Sequence, residues 1–276
     1  MGVIGIVSFS LTPSATKMAL QSMPPVFVSS GRVFVAAIMA AIILWVSKSR
    51  IPTIQEKKSL IGVILGACIG FPVFTALAFS LVPASHGSVV LALLPLATAG
   101  VAVWRAGDRP SKNYWVAGIM GAAVIIIYAL SESAGKLELG DLYLLLALVS
   151  AAYGYTEGAI ASRTLGSWQT ICWALVATAP LAIIPLLWGI INQPVNPTPW
   201  SWLGFSYLCI VSQLTGFFAW YKGLAIGGIS KVGQIQLAQA PLGVIASAVI
   251  LGEIIRPQIW PTLVLVIAMI VFGAKK

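Results

Sequence analysis

The sequence predicts an all-α integral membrane protein with ten transmembrane helices, arranged as two inverted five-helix repeats around a central cavity. The composition is the first reason, because 59% of the 276 residues are hydrophobic and only 8% are charged. Soluble domains carry about 25% charged residues. The second reason is a series of ten apolar spans, and the third is a stretch near residue 100 that returns in modified form near residue 245.

Apolar spans of about 17 residues or more, the length that crosses a bilayer core, follow one another along the chain. The connections between them are short, so little sequence remains for a soluble domain. Met1 is followed at once by an apolar run without a basic region, and the first span is therefore expected to stay as a transmembrane helix. The predicted spans are 3–20, 26–47, 59–81, 87–104, 114–130, 141–161, 168–191, 201–221, 231–251 and 258–273.

The repeat joins the stretch 85–110, SHGSVVLALLPLATAGVAVWRAGDRP, to the stretch 230–257, SKVGQIQLAQAPLGVIASAVILGEIIRP. Each half holds five spans, an odd number, so the second half must enter from the other side of the membrane. Many secondary transporters have such inverted repeats and bind their substrate between the halves near the midplane. We expect the first repeat to cover 1–131 and the second to cover 132–276.

Basic residues are concentrated in alternate connections, a pattern that sets the orientation of a membrane protein. Twelve of the sixteen lie in one set, whereas the other set holds only Lys136 and Arg256. This asymmetry predicts cytoplasmic termini and an outward-facing acidic loop from Glu132 to Asp141. It also accounts for the formal charge of +9 without nucleic-acid binding. The twelve are Lys48, Arg50, Lys57, Lys58, Arg105, Arg109, Lys112, Arg163, Lys222, Lys231, Lys275 and Lys276.

Four ionisable residues in the spans are candidates for a charge or proton role. Arg32 lies about seven residues into its span, or about 10 Å at 1.5 Å per residue. Arg32 and Lys17 either snorkel to the outer interface or face a cavity. His86, the single histidine, is either a surface or capping residue or a substrate or proton site. Glu157 is either a functional intramembrane acid or part of a solvated helix end.

Neutral polar and aromatic side chains form the predicted substrate site. Thr12 lies beside a proline break, and Gln236 and Gln239 are three residues apart and therefore neighbours on one helix face. These three would orient polar groups of a substrate. The alternatives are a hydroxyl that bonds its own helix and glutamines that bond neighbouring helices. The predicted apolar contacts are Phe71, Phe74, Tyr155 and Trp173.

Prolines and glycines inside the spans predict where helices bend and where they pack closely. A proline frees a backbone carbonyl and permits a kink, so helices are expected to rock near these residues during transport. Glycines spaced by four let a neighbouring backbone approach. The predicted hinges are Pro13, Pro72, Pro95 and Pro241, and the predicted packing face is Gly62, Gly66 and Gly70.

The chain offers no constellation typical of an enzyme, a metal site or a cofactor site. Catalysis would need a histidine with an acid or a ligand cluster, and His86 and Glu157 are predicted near opposite faces. Cys68, Cys172 and Cys209 are isolated and lack metal-ligand spacing. A channel or lipid-translocating protein would need a continuous polar stripe, and none is evident. The expected partners are a small-molecule substrate and the lipid bilayer, with a monomer as one option.

The repeat ends resemble those of the drug/metabolite transporter superfamily, the ten-helix carriers built from two EamA-type repeats. The first copy departs from the usual pattern with Asp108, where glutamate is commoner, and with two residues fewer before its Arg-Pro pair. The amide-rich and aromatic spans are most similar to aromatic amino-acid exporters of the YddG type. The resemblance implies a bacterial inner-membrane exporter whose central cavity opens alternately to each side. The matching positions are Pro95, Gly107, Asp108, Arg109, Pro110, Pro241, Gly252, Glu253, Arg256 and Pro257.

We therefore predict a secondary transporter that exports small neutral metabolites, above all amino acids including aromatic ones, by alternating access. The alternative substrates are other metabolites or drugs, including sugar phosphates, for which Lys17 and Arg32 are the available intramembrane cations. Proton coupling would need a titratable group in the pathway, and Glu157 and His86 are the candidates. If neither faces the cavity, downhill facilitated export is the simpler mechanism.

Overall fold

The computed structural model describes residues 1–132 and 138–274, without the side chains of 129–132, 270 and 272–274. Lys136, Lys275 and Lys276 of the predicted charge pattern lie outside the described residues. The described chain forms ten helices in succession. They are α1 Gly2–Leu20, α2 Pro25–Val46, α3 Ile54–Leu81, α4 Ala84–Ala106, α5 Lys112–Glu132, α6 Leu139–Ser162, α7 Ser167–Asn192, α8 Pro199–Gly227, α9 Ile229–Leu251 and α10 Ile259–Ala274.

The ten predicted spans are confirmed, and the chain is a multi-pass membrane protein. Eight helices are long and apolar enough to cross a membrane, and α5 and α10 contain shorter apolar segments. Most boundaries agree within a few residues. The largest difference at a C-terminal end is in α8, which continues to Gly227 because the exposed Lys222 extends the helix rather than ending it.

Local sequence signals start and stop several helices. α2 and α8 begin with a proline, Pro25 and Pro199, whose missing N–H is not needed in a first turn. α4 and α9 both end at a glycine in the left-handed conformation, Gly107 with φ of 71° and Gly252 with φ of 68°. A side chain would be strained there.

Each half interrupts its helices at equivalent places. π-helical segments lie in the middle of α3 (Ile64–Gly70) and α8 (Leu208–Thr215). Short 3-10 segments lie in α4 (Leu91–Leu93) and α9 (Gln234–Ala238). In addition, α1 breaks at Leu11. The predicted hinges Pro13, Pro72, Pro95 and Pro241 each follow one of these irregular segments, since proline cannot supply the backbone N–H that continues a regular ladder.

The contacts between helices follow the pattern expected of two related halves. α2 packs on α7, α4 on α9 and α5 on α10, and these pairs join equivalent helices of the two halves. α1 packs on α8 and α3 packs on α6, two pairs that exchange when the halves are exchanged. The end of α4 lies at the start of α9 and the end of α9 lies at the start of α4, so the equivalent helices run in opposite directions. We call the end of the bundle where α1 begins the N-terminal face, and the other end the opposite face.

The predicted glycine face of α3 packs directly on α6. A Cβ atom at Gly66 would lie 2.4 Å from the carbonyl oxygen of Ser150, and one at Gly70 would lie 2.5 Å from the Ser150 hydroxyl. A Cβ at Gly62 would meet Glu157 at 2.4 Å. The packing prediction is therefore confirmed, and the two halves approach backbone to backbone at Gly66.

Candidate substrate site and its flanking clusters

A hydrogen-bonded network joins the two halves near mid-depth. Thr12 Oγ1 and Ser212 Oγ are 2.8 Å apart, and Arg32 Nη2 donates to the same Ser212 Oγ at 3.0 Å. The three residues come from α1, α8 and α2, and each is at most 3% exposed. Thr12 follows the break in α1, and Ser212 lies in the π-helical segment of α8. Thr12 was predicted, whereas Ser212 was not singled out.

Arg32 is the main correction to the predicted charges. Its side chain is 1% exposed and its Nε atom has no hydrogen-bond partner in the structure. Snorkelling to the interface is therefore the wrong interpretation. The Arg32 face of α2 points at α8, where Ser212 receives its hydrogen bond, and the protein encloses the guanidinium. The cavity-facing alternative agrees with this position.

An aromatic cluster lies beside the network. Tyr155 stacks on Phe9 with ring centroids 6.1 Å apart, and meets Trp220 at 5.6 Å and Phe217 at 5.9 Å edge to face. All four rings are at most 4% exposed. Tyr155 was predicted. Trp220 was not among the predicted site residues, and α1 and α6 cover its ring.

The π-helical segments of the two halves meet through Gln213. In π geometry the Ala67 carbonyl would accept from residue 72, but Pro72 has no N–H, and the Phe71 N–H donates to Gly66. Gln213 Nε2 fills this position and donates to the Ala67 carbonyl at 3.1 Å. The Oε1 atom of the same amide has no partner. Sequence reasoning missed this bond because a π-helix leaves no clear sequence signal.

A second group of buried polar atoms lies between α1, α4 and α9. Gln236 is 1% exposed, and neither its amide nitrogen nor its amide oxygen has a hydrogen-bond partner in the structure. Gln239 Oε1, Ser14 Oγ and Thr98 Oγ1 are likewise buried without a partner. The alternative in which Gln236 bonds a neighbouring helix is therefore wrong. Buried amides without partners are uncommon in proteins, which makes this group a candidate for polar contact with a substrate.

The other predicted apolar contacts do not gather at the network. Phe71 is a core residue, and Phe74 stacks on Tyr143 of α6 at 6.5 Å. Trp173 lines a groove between α2 and α7 near the N-terminal face, together with Trp45 and Lys48. Their predicted role as substrate contacts finds no support in this arrangement.

Two ion pairs occupy the two faces, and each contains a buried carboxylate, although Arg105 itself is exposed. Glu157 is 1% exposed and pairs with Arg105 at the N-terminal face, so a solvated helix end is the wrong interpretation. His86 is 6% exposed, and its Nε2 lies 2.7 Å from Asp141 Oδ1 near the opposite face, so a surface position is also wrong. Neither residue hydrogen-bonds the central network. Lys17 is half-buried and attracted by the carboxylate of Glu253.

At the N-terminal face, the connection between α2 and α3 is tied to the end of α6. Arg50 donates to both carboxylate oxygens of Glu56, at 2.6 and 2.8 Å, and to the Thr164 carbonyl at 3.1 Å. The hydrogen bond to Glu56 raises the pKa of Arg50 above its usual value.

The acidic residues of the repeat motif cap the helices of the other half. Glu253, directly after α9, accepts from the backbone N–H groups of Ala84 and Ser85 at 2.8 and 2.9 Å. Asp108, directly after α4, accepts from the Ser230 N–H at 3.0 Å and from its hydroxyl at 2.7 Å. Carboxylates stabilise helix N-termini through the free N–H groups and the helix dipole. We call these contacts the reciprocal caps. In the sequence, these positions are recognisable only as the ends of the two repeat stretches.

The described residues contain no group of three or more histidine, cysteine or acidic residues that could hold a metal ion. Cys68, Cys172 and Cys209 are buried and free.

Similarity to other proteins identifies the family of this chain. Residues 1–130 and 138–273 each match the EamA-like transporter family. The chain is 39% identical over 258 residues to the uncharacterized transporter YdeK of Bacillus subtilis (strain 168), covering 91% of this chain and 88% of that protein. A solved crystal structure, 18% identical, matches it with a TM-score of 0.71 over 99% of this chain and 96% of its own, which indicates a shared fold. The chain therefore belongs to the EamA-like transporter family of the drug/metabolite transporter superfamily.

Proposed function

We propose that this transporter exports small metabolites, above all amino acids including aromatic ones, by alternating access. The observation that carries the proposal is the enclosed network of Thr12, Ser212 and Arg32 beside the ring of Tyr155. Both halves contribute to it at mid-depth, where inverted-repeat carriers bind their substrates. Hydroxyl and guanidinium donors suit the polar head of an amino acid, and the aromatic cluster suits its side chain.

The positions of the charged pairs favour a carrier over an enzyme. The Glu157–Arg105 pair lies at the N-terminal face and the His86–Asp141 pair lies near the opposite face. The histidine–acid pair His86–Asp141 therefore lies away from the central network and cannot act on a substrate atom there. Nothing at the central network supplies a nucleophile paired with a base.

We propose a bacterial inner-membrane location with both termini in the cytoplasm. The support is the charge asymmetry, because the connections and helix ends of the N-terminal face carry most of the basic residues and cytoplasmic loops are enriched in such residues. Export as the direction follows from the resemblance to amino-acid exporters. Right-side-out and inside-out vesicles, each loaded with labelled phenylalanine, would test the direction, and faster efflux from inside-out vesicles would contradict it.

A second candidate, a sugar-phosphate carrier, is favoured by one observation, the buried cation Arg32. A phosphate monoester carries about −1.5 to −2 charge at pH 7, and one guanidinium at mid-depth neutralises only part of it. The carboxylate of an amino acid matches a single cation better. The structure therefore supports amino acids as the first candidate.

Reconstituted liposomes test the proposal directly. We expect saturable uptake of labelled phenylalanine, tryptophan or threonine and no uptake of glucose 6-phosphate. Thr12→Val removes the hydroxyl that meets Ser212 and is expected to lower phenylalanine kcat/KM by about 2- to 10-fold, the effect of one hydrogen bond. Ser8→Ala on the same helix is the matched control, because that hydroxyl bonds its own backbone at Ile4. Uptake of the sugar phosphate alone would refute the amino-acid assignment.

A further inference from the structure

Arg32 is a buried cation whose counter-ion is not among the carboxylates that the structure describes. These carboxylates are all engaged elsewhere, and the Glu132 side chain lies outside the described part. None of the ion pairs in the described chain includes Arg32, and its neighbours are neutral, chiefly Ser212, Tyr155, Cys68 and Cys209. The engaged acids are Glu56 with Arg50, Asp108 with Ser230, Glu138 with the cap of α6, Asp141 with His86, Glu157 with Arg105, and Glu253 with Ala84 and Ser85.

Burial makes such a cation expensive. Charged side chains within membrane-spanning segments almost always pair with one another or with backbone carbonyls, and they mark substrate or ion pathways. The guanidinium has a planar fork that matches a carboxylate with two parallel hydrogen bonds. Here Nη2 is held by a neutral hydroxyl, Ser212, and Nε has no partner. A weakly held fork of this kind is suited to exchange its neutral partner for an anion.

We propose that Arg32 binds the carboxylate of the transported molecule, so that the substrates are small organic acids with one carboxylate, zwitterionic amino acids included. This inference rests on the proposed function and names the chemical group that the site requires. One carboxylate neutralises one guanidinium, which allows both faces to close over the pair. The amide oxygen of Gln213, the residue that follows Ser212, is also without a partner and is an available acceptor for a second polar group such as an ammonium.

Analogues of phenylalanine test the carboxylate without changing the protein. 3-Phenylpropionate keeps the carboxylate and lacks the amino group, whereas phenylalaninamide and phenethylamine keep the amino group and lack the charged carboxylate. Thermal stabilisation of the purified protein by each compound, and competition with labelled phenylalanine flux in liposomes, are the two measurements. We expect phenylalanine and 3-phenylpropionate to stabilise the protein, and the two analogues without a carboxylate to bind at least about 30-fold more weakly, the loss typical of a broken buried charge pair.

Variants of Arg32 then assign the effect to this residue. Arg32→Gln should abolish the difference between phenylalanine and phenylalaninamide, and Arg32→Lys should restore part of it because the charge returns without the fork. Lys57→Gln, which removes an exposed positive charge at the start of α3, is the control and should behave as the wild type. The analogue series in the wild type decides the question even if Arg32→Gln does not fold.

The outcomes separate this inference from the proposed function. Two results would overturn the inference and leave the amino-acid carrier in place. In the first, phenethylamine inhibits labelled phenylalanine flux as strongly as 3-phenylpropionate does. In the second, Arg32→Gln leaves phenylalanine flux unchanged. Binding of 3-phenylpropionate, but of no amino acid, with loss in Arg32→Gln would overturn the amino-acid function and support the inference. Arg32-dependent binding of glucose 6-phosphate alone, or no binding by any carboxylate, would overturn both.

Discussion

The substitution Glu253→Gln tests whether a reciprocal cap holds the opposite face closed. The carboxylate accepts two backbone N–H groups at the start of α4, at 2.8 and 2.9 Å. Each hydrogen bond to a charged group contributes about 1.5–3 kcal/mol, and the amide oxygen of glutamine can keep one neutral bond of about 1 kcal/mol. The closed arrangement at this face should therefore lose roughly 2–5 kcal/mol, which is at least about a 30-fold shift toward states in which it is open.

Asp108→Asn is the mirror-image experiment at the N-terminal face. Its carboxylate accepts from the N–H and the hydroxyl of Ser230 at 3.0 and 2.7 Å. If the caps act as gates, each substitution should open its own face and leave the other closed. A structural role in folding would instead lower thermal stability in both variants without selecting a face.

Spin-label distances measure the two faces separately. Leu81→Cys with Ile254→Cys reports on the opposite face, and Trp104→Cys with Ile226→Cys reports on the N-terminal face, since all four side chains are more than half exposed. Glu253→Gln should lengthen only the first distance and Asp108→Asn only the second. Glu138→Gln removes a carboxylate that caps its own helix and should change neither distance. Unchanged distances in both variants, or equal changes at both faces, would refute the gating argument.

Three further predictions follow from the described contacts. Phenylalanine flux should be independent of an imposed pH gradient in the wild type and in the variants Glu157→Gln and His86→Ala, because both residues are paired away from the central network. A wild-type requirement for the gradient that either variant loses would contradict this. Gln213→Leu should lower the free energy of unfolding by about 1–3 kcal/mol by leaving the Ala67 carbonyl without its partner, measured as a lower Tm against a Thr215→Val control. Gly66→Ala should abolish folded protein on size exclusion through the clash with Ser150, whereas Gly100→Ala, with its nearest contact at 3.8 Å, should fold normally.

The fold was predictable because its signals are repeated and local. Ten apolar spans, alternating basic connections and a motif that occurs twice are each visible in the sequence, and the helices follow them closely. The glycine face of α3 was predictable for the same reason, since spacing by four fixes one helix face. What could not be predicted is which face of a uniformly apolar helix meets which neighbour. For Arg32 the sequence therefore left two positions open, the interface and a cavity, and the residue lies in the interior.

The candidate site was less predictable because it does not follow the repeat. The π-helical and 3-10 segments, the pair Pro95 and Pro241, and the capping acids occur in both halves, as expected if both halves bend and close in a related way. Pro13 and Pro72 have no equivalent proline in the second half. The residues of the network do not repeat. With the π-helical segments aligned, Ser212 corresponds to Cys68, and Arg32 of α2 corresponds to apolar residues of α7.

This difference separates the residues that would open and close the two faces from the residues that would bind the substrate. A gate must exist on each side of the membrane, so its residues are expected in both copies. A substrate binds once, in one orientation, so the groups that hold it are expected in one copy only. By this criterion Arg32, Ser212, Gln236 and Gln239 are the candidates for recognition, since the equivalent positions carry apolar or weakly polar side chains. Asp108 and Glu253 are the candidates for gating, because each caps a helix of the half to which it does not belong.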